Sequence, residues 1–223
     1  MNALKSPTLS RIWYAIWIIM VVISQQLLKM SYSVKQINWS YASLFLISAV
    51  LFLVAMVARY RYESQIFTPQ NPTFLEGVGN FFGLVAFTVV AIGLFLLIIS
   101  GLKAKGRFPS LQVKTDYLAR GTVVFWFELL ASALLVAVEQ QFVTTGFFFN
   151  YFWRRNNLTS ALLGILVSGI LYGILNMETF NFINFFIYGA VGCLLAIVYL
   201  ATQNFRISVV LGIFVAILRV ILI

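Results

Sequence analysis

Two carboxylates, Glu128 and Glu139, stand inside an apolar run that extends from Gly121 to Phe149. Hydrocarbon offers no water to solvate an ionisable group, so such residues are rare there and mark candidate sites. Their numbers differ by 11, close to three turns at about 3.6 residues per turn, so a regular helix places them nearly on one face. Gln140, Gln141, Thr144 and Thr145 follow Glu139 closely and make Val138–Gly146 the most polar stretch within any apolar run. Two readings of this cluster stand side by side: a site facing a cavity, or amide and hydroxyl groups that bond neighbouring helices and fix their packing. A second polar patch is Asn176-Met177-Glu178 with Asn181 and Asn184, at a short break between apolar runs. It reads as a solvated turn or as a further part of the site.

The chain has no histidine, and its one cysteine, Cys193, lies in an apolar run. Catalytic zinc takes three protein ligands from His, Cys, Asp and Glu. No such set is visible, so no metal and no cofactor is expected. General base work by Glu139 alone is conceivable, but without a group to stabilise an oxyanion or a leaving group it would achieve little. A single thiol also excludes an intramolecular disulfide.

The elements that must carry these groups are membrane helices. Of 223 residues, 62% are hydrophobic and only 9% charged, against roughly 25% charged in a soluble domain. That excludes a soluble enzyme and predicts an all-α, polytopic transmembrane helix bundle. Seven apolar segments fall at Ile12–Leu28, Tyr41–Ala58, Phe81–Leu102, Gly121–Phe149, Leu158–Leu175, Phe180–Leu200 and Ile207–Ile223. Each approaches the length of about 20 residues that crosses a bilayer. Continuous rather than alternating hydrophobicity argues against a barrel. The first segment has no small-residue cleavage site after it and reads as a retained signal anchor. Linkers are expected at Ser31–Ser40, Arg59–Asn80 and Lys103–Arg120, the second containing the turn-rich Thr68-Pro69-Gln70-Asn71-Pro72. One integral membrane domain, 1–223, is expected, with N-terminal helices and loops over 1–120 and a four-helix core over 121–223.

The net charge of +9 comes from basic residues that sit almost entirely between apolar runs. They indicate headgroup contact and topology control rather than nucleic acid. An inside N-terminus places Arg59, Arg61, Arg154, Arg155 and Arg206 inside, as the positive-inside rule prefers. It also places Lys103, Lys105, Arg107, Lys114 and Arg120 outside, against that rule. Gly164, Gly169 and Gly173 in the fifth segment, with Gly189 and Gly192 in the sixth, are expected to let helix backbones approach closely. The aromatics Phe147–Phe149, Tyr151 and Trp153 read as an interfacial belt or an exposed partner surface.

From Glu139 to the C-terminus the chain resembles the CPBP family (CAAX protease and bacteriocin-processing, or Abi), intramembrane metalloprotease-like proteins. That family's first motif is a pair of glutamates followed after three residues by arginine, leading into glycine and an aromatic stretch. Here Glu139-Gln140, Thr144 and Gly146-Phe147-Phe148-Phe149-Asn150-Tyr151 stand in its place. The second motif, an aromatic and a histidine with three residues between, corresponds to Tyr172-Gly173-Ile174-Leu175-Asn176. The third, histidine and asparagine with the same spacing, follows Tyr199-Leu200-Ala201-Thr202-Gln203-Asn204 and falls on Gly212 and Ala216. The framework matches, whereas of the functional letters only Glu139 remains. In the family the glutamate and histidines are expected to hold a metal or activate water against a peptide bond.

The resemblance therefore implies a catalytically degenerate member. Such a protein binds and positions or regulates another membrane or cell-envelope protein, such as a cell-wall hydrolase, or serves bacteriocin self-immunity. Two other readings remain open: a membrane enzyme of altered chemistry, such as acyl or lipid transfer, using Glu139, and a small substrate-binding transport subunit. The expected surroundings are the lipid bilayer and a protein partner, and the resemblance implies a bacterial cytoplasmic membrane.

Overall fold

The computed structural model describes residues 7–33, 36–67, 72–107, 121–152, 157–177 and 182–222. The helices in chain order are α1 (Pro7–Met30), α2 (Trp39–Phe67), the short α3 (Phe74–Asn80) and α4 (Phe82–Ala104). A long central span, Thr122–Phe152, follows. It comprises α5 (Thr122–Leu130), α6 (Ala137–Gln141) and α7 (Phe148–Phe152), joined by π-helical turns over Ala131–Val136 and Phe142–Phe147. The last three helices are α8 (Leu158–Asn176), α9 (Phe182–Thr202) and α10 (Phe205–Leu222). Among the described residues, seven helices are long and apolar enough to cross a membrane. The all-α, polytopic bundle expected from composition is the fold found.

Helix α2 corrects the expected linker. It continues past Ala58 to Phe67, and the reason is chemical. Glu63 is fully buried and accepts from Arg59 one turn earlier and from the Tyr151 hydroxyl at 2.6 Å. A turn whose buried carboxylate is paired with an arginine one turn earlier continues the helix rather than ending it. Residues 68–71 of the turn-rich stretch lie outside the described residues. After Pro72, Thr73 and Glu76 form a reciprocal capping box that starts α3. The bond from the Thr73 backbone N–H holds the exposed Glu76 carboxyl below the usual carboxylate range. The cap is thus present above the ordinary carboxylate pKa and is lost as pH falls through the lowered value.

The turn between α9 and α10 explains the phrase Thr202-Gln203-Asn204. Gln203 takes a positive φ of 49°, and its N–H donates to the Tyr199 carbonyl at 2.8 Å. Asn204 then caps α10, its Oδ1 accepting from the Arg206 N–H at 2.9 Å. The phrase builds a tight helical hairpin.

The central span and α9 are the most enclosed membrane helices, while α2 and α4 present most of their surface outward. Phe147, Phe148, Phe149 and Tyr151 are all buried, which corrects their reading as an exposed belt or partner surface. Their rings fill the space between α1 and the central span: Trp17 stacks on Phe147 at 5.1 Å, and Tyr14 meets Tyr151 edge-on. Trp153, Arg154 and Arg155 lie outside the described residues, as do Lys5, Lys114 and Arg120.

Helices α8 and α9 meet through small residues. A methyl at Gly169 would lie 2.8 Å from the Gly189 carbonyl oxygen and one at Gly173 would lie 2.8 Å from that of Phe185. At Gly192 it would lie 2.5 Å from the Tyr172 Cβ, whereas at Gly189 it would meet only ordinary contact at 3.6 Å. Gly164 is buried in α8. Overpacking of a close interface costs about 1–3 kcal/mol. Gly192→Ala and Gly173→Ala are therefore expected to lower the unfolding midpoint in mild detergent, with Gly189→Ala near wild type. Equal loss at all three positions would contradict this account of the α8–α9 contact.

Candidate functional site

The polar stretch of the central span is enclosed completely. Glu139, Gln140, Gln141, Thr144 and Thr145 are each at most 2% exposed. Two π-helical turns flank Glu139–Gln141, and each π turn takes in one residue more than an α turn. The 11-residue spacing of Glu128 and Glu139 therefore does not return to one face as a regular helix would. Both carboxylates are buried. Glu139 faces α1, where the Ser24 hydroxyl donates to its Oε1 at 3.1 Å.

Gln140 turns the other way, toward α8. Its amide pairs reciprocally with Asn176: Gln140 Nε2 donates to Asn176 Oδ1 at 3.2 Å, and Asn176 Nδ2 to Gln140 Oε1 at 3.3 Å. Asn176 Nδ2 also donates to the Tyr172 carbonyl at 2.9 Å, one helical turn back. The second bond to Asn176 Oδ1 comes from Arg219 Nη1 in α10, at 2.7 Å. These groups, with Ser132, Val136, Val215 and Ala216, leave only about 10 Å³ between them. Asn176 is thus a buried junction of three helices, which corrects its reading as a solvated turn. Glu178 and Asn181 lie outside the described residues, and Asn184 is half-buried near the start of α9.

Gln141 reaches α10 at another level. Its Oε1 accepts from the Ser208 hydroxyl at 2.8 Å, and Thr145 Oγ lies within 3.3 Å of that same hydroxyl. A methyl at Gly212 would lie 2.6 Å from the Gln141 Cγ, so the Gln141 side chain occupies the space that a larger residue at 212 would need. Thr144 uses its hydroxyl on the Gln140 carbonyl at 2.8 Å, while its own carbonyl accepts from Ser168 of α8 at 2.7 Å.

Residues 122–218 match the family model described as type II CAAX prenyl endopeptidase Rce1-like. This stretch is Rce1-like. The match bears out the CPBP resemblance drawn from the motif framework, and it covers the central span and most of α8–α10. No curated protein and no solved structure matches the chain.

Within the Rce1-like region, several positions that the sequence reading set against the family's motifs lie close together. Gln140, Asn176 and Ala216 line one small space, and Gly212 packs one turn away against Gln141. Glu139 is separated from them, on the α1 side. A metal does not fit this donor set. Gln140 and Asn176 offer neutral amides that are already bonded to each other, and the Arg219 guanidinium brings positive charge to the place a cation would take. Among the described residues no group of three His, Cys, Asp or Glu side chains is close enough to hold an ion.

Beside Asn176 and Arg219 a cavity of about 180 Å³ opens between the C-terminal ends of α1, α8 and α10, and Gln25, Gln26, Lys29 and Tyr32 form much of its wall. Gln25 donates to the Leu175 carbonyl at 2.8 Å and fixes α1 to the end of α8. Reasoning from sequence missed Arg219 and Glu63. Arg219 is the one charged residue in the last apolar segment, and Glu63 stands four residues after Arg59, so both carried a signal.

The Gln140–Asn176 pair is open to a double-mutant cycle, with Gln140→Leu and Asn176→Leu alone and together. Interhelical hydrogen bonds in membranes average about 0.6 kcal/mol with maxima near 1.7. The reciprocal geometry predicts a coupling toward the upper end. Coupling near zero would mean that the two amides do not act as a pair. Gly212→Leu is expected to destabilise more than Ala216→Leu, because it must expel Gln141; equal loss would count against that packing.

Proposed function

We propose that this chain is a non-catalytic CPBP-like membrane protein that binds another membrane or cell-envelope protein and positions or regulates it. The match is to proteins described as prenyl endopeptidases, whose chemistry needs a water-activating group beside the scissile bond. The observation that carries the reading is the use of the family's motif positions here. Asn176 bonds both Gln140 and Arg219, so two positions aligned with the family's motifs serve a structural tie across three helices. Glu139, the one glutamate that the alignment retains, accepts from Ser24 of α1 rather than joining that tie. A carboxylate held there has no electrophile-stabilising partner.

A fixed bundle with a polar mouth suits recognition. The cavity at the ends of α1, α8 and α10 carries Lys29 and Arg219 with the amides of Gln25, Gln26 and Asn176. These groups match a partner segment rich in carboxylates or carbonyls.

The test is a mild-detergent pull-down of the tagged chain from its native membrane, comparing wild type, Glu139→Gln and Lys29→Glu by mass spectrometry. The reading expects one stoichiometric partner with wild type and with Glu139→Gln, reduced at least severalfold with Lys29→Glu. Loss of function in Glu139→Gln with the partner still bound would overturn it in favour of chemistry at the carboxylate. Absence of any partner from wild type would overturn it as well.

A further inference from the structure

The opposite end of the bundle carries a second cavity, of about 600 Å³, within the range of roughly 300–1,000 Å³ typical of small-molecule sites. It is distinct from the polar mouth in both position and chemistry. Its inner wall is apolar, formed by Val57 of α2, Val138 and Phe142 of the central span, and Phe205 and Val209 of α10. Its rim is cationic and hydroxylated, with Arg61, Arg206, Ser64 and Thr73. We propose that this cavity binds a phospholipid with an anionic headgroup, one acyl chain lying against the apolar wall and the phosphate held by Arg61 and Arg206.

Three observations support this occupant. The first is charge. Arg59, Arg61 and Arg206 lie near this cavity, but they are not equivalent. Arg59 is bonded to Glu63 and lies over the Trp13 ring, whereas Arg61 and Arg206 are exposed and neither is ion-paired with a carboxylate among the described residues. The nearby carboxylates are otherwise engaged, Glu63 by Arg59 and Tyr151, and Glu76 by the cap at Thr73. Guanidinium groups meet phosphate oxygens through paired N–H donors, a geometry that suits this headgroup better than a point charge does.

The second is the wall. An inorganic anion has no use for five apolar side chains, and a wholly apolar molecule has none for two arginines. A phospholipid uses both.

The third is that the cavity is built rather than left over. Its roof is the segment Pro72–Phe74 entering α3, and this roof is fixed twice to α10. Asn204 Nδ2 donates to the Pro72 carbonyl at 2.8 Å, and Gly77 packs so closely that a methyl there would lie 2.9 Å from the Ile207 Cδ1. The same Asn204 caps α10, so the cap, the roof and the Arg206 position are set by one side chain.

The inference does not depend on the partner reading of the polar site. Its test uses the full chain, purified in a neutral detergent and examined by native mass spectrometry with equal amounts of phosphatidylglycerol and phosphatidylcholine carrying the same acyl chains. Wild type is expected to retain phosphatidylglycerol about thirtyfold over phosphatidylcholine, the size expected of two basic residues near an anionic lipid. Combining Arg61→Gln with Arg206→Gln should bring the two lipids to parity. Val209→Trp should reduce both lipids while leaving the preference, and Lys103→Gln with Lys105→Gln should change nothing. Gel filtration confirms that each variant stays monodisperse; should the double arginine variant fail, the single variants should each show part of the loss. Equal retention of both lipids by wild type, or an undiminished preference in the arginine variants, would overturn the proposal. Binding of glycerol 3-phosphate as tightly as the lipid would overturn the assignment of the apolar wall.

Discussion

A polar side chain in hydrocarbon must find its partner on another helix, and this constraint organises the bundle around Glu139–Thr145. Ser24 on α1, Asn176 and Ser168 on α8, and Ser208 on α10 all bond to the central span. Water cannot replace these partners, so the positions of three surrounding helices are tied to one short stretch. Arg219 extends the tie from α8 to α10. The result is an interior whose hydrogen bonds specify relative helix position, which dispersion between apolar faces does only weakly.

Close approach is the second requirement, since an amide reaches only a few ångströms beyond its own backbone. The glycines of α8 and α9 let those backbones approach, and the absent side chain at Gly212 gives Gln141 its room. The π-helical turns serve the same end. By taking in an extra residue they set the rotation of α6, in which Glu139 meets α1, Gln140 meets α8 and Gln141 meets α10. A strict α-helix spaces consecutive residues by about 100°, which already separates them; the π turns set which helix each one finds.

The two ends of the bundle differ in chemistry. At one, amides and the charges of Lys29 and Arg219 border a small polar cavity. At the other, Arg59 and Glu63 join Tyr151 and Trp17 in a hydrogen-bonded chain that fixes α1 and α2 to the end of the central span, beside a larger apolar cavity with a basic rim. The Rce1-like region, 122–218, supplies only part of each end. Helices α1 and α2, with the Pro72–Phe74 segment, supply much of the rest.

The number and class of the membrane segments were legible in the sequence because hydrophobic length is a local property, readable from about 20 residues at a time. The CPBP-like framework was legible for a similar reason, since motif spacing survives the loss of motif letters. Partner choice was not. That Asn176 is buried against Gln140 and Arg219, and that Glu139 faces away from both, follows from helix rotation and from π turns that composition does not encode. The aromatic run Phe147–Phe149 is apolar enough for lipid or for protein, and only its packing against α1, α2 and α9 decided that it lies inside. Glu63 read as part of a polar linker until the fold brought Tyr151, 88 residues away, against it. Local sequence thus determined which segments enter the membrane; contacts between distant segments decided which polar groups meet there, because in lipid each such group is satisfied only by what the tertiary fold places beside it.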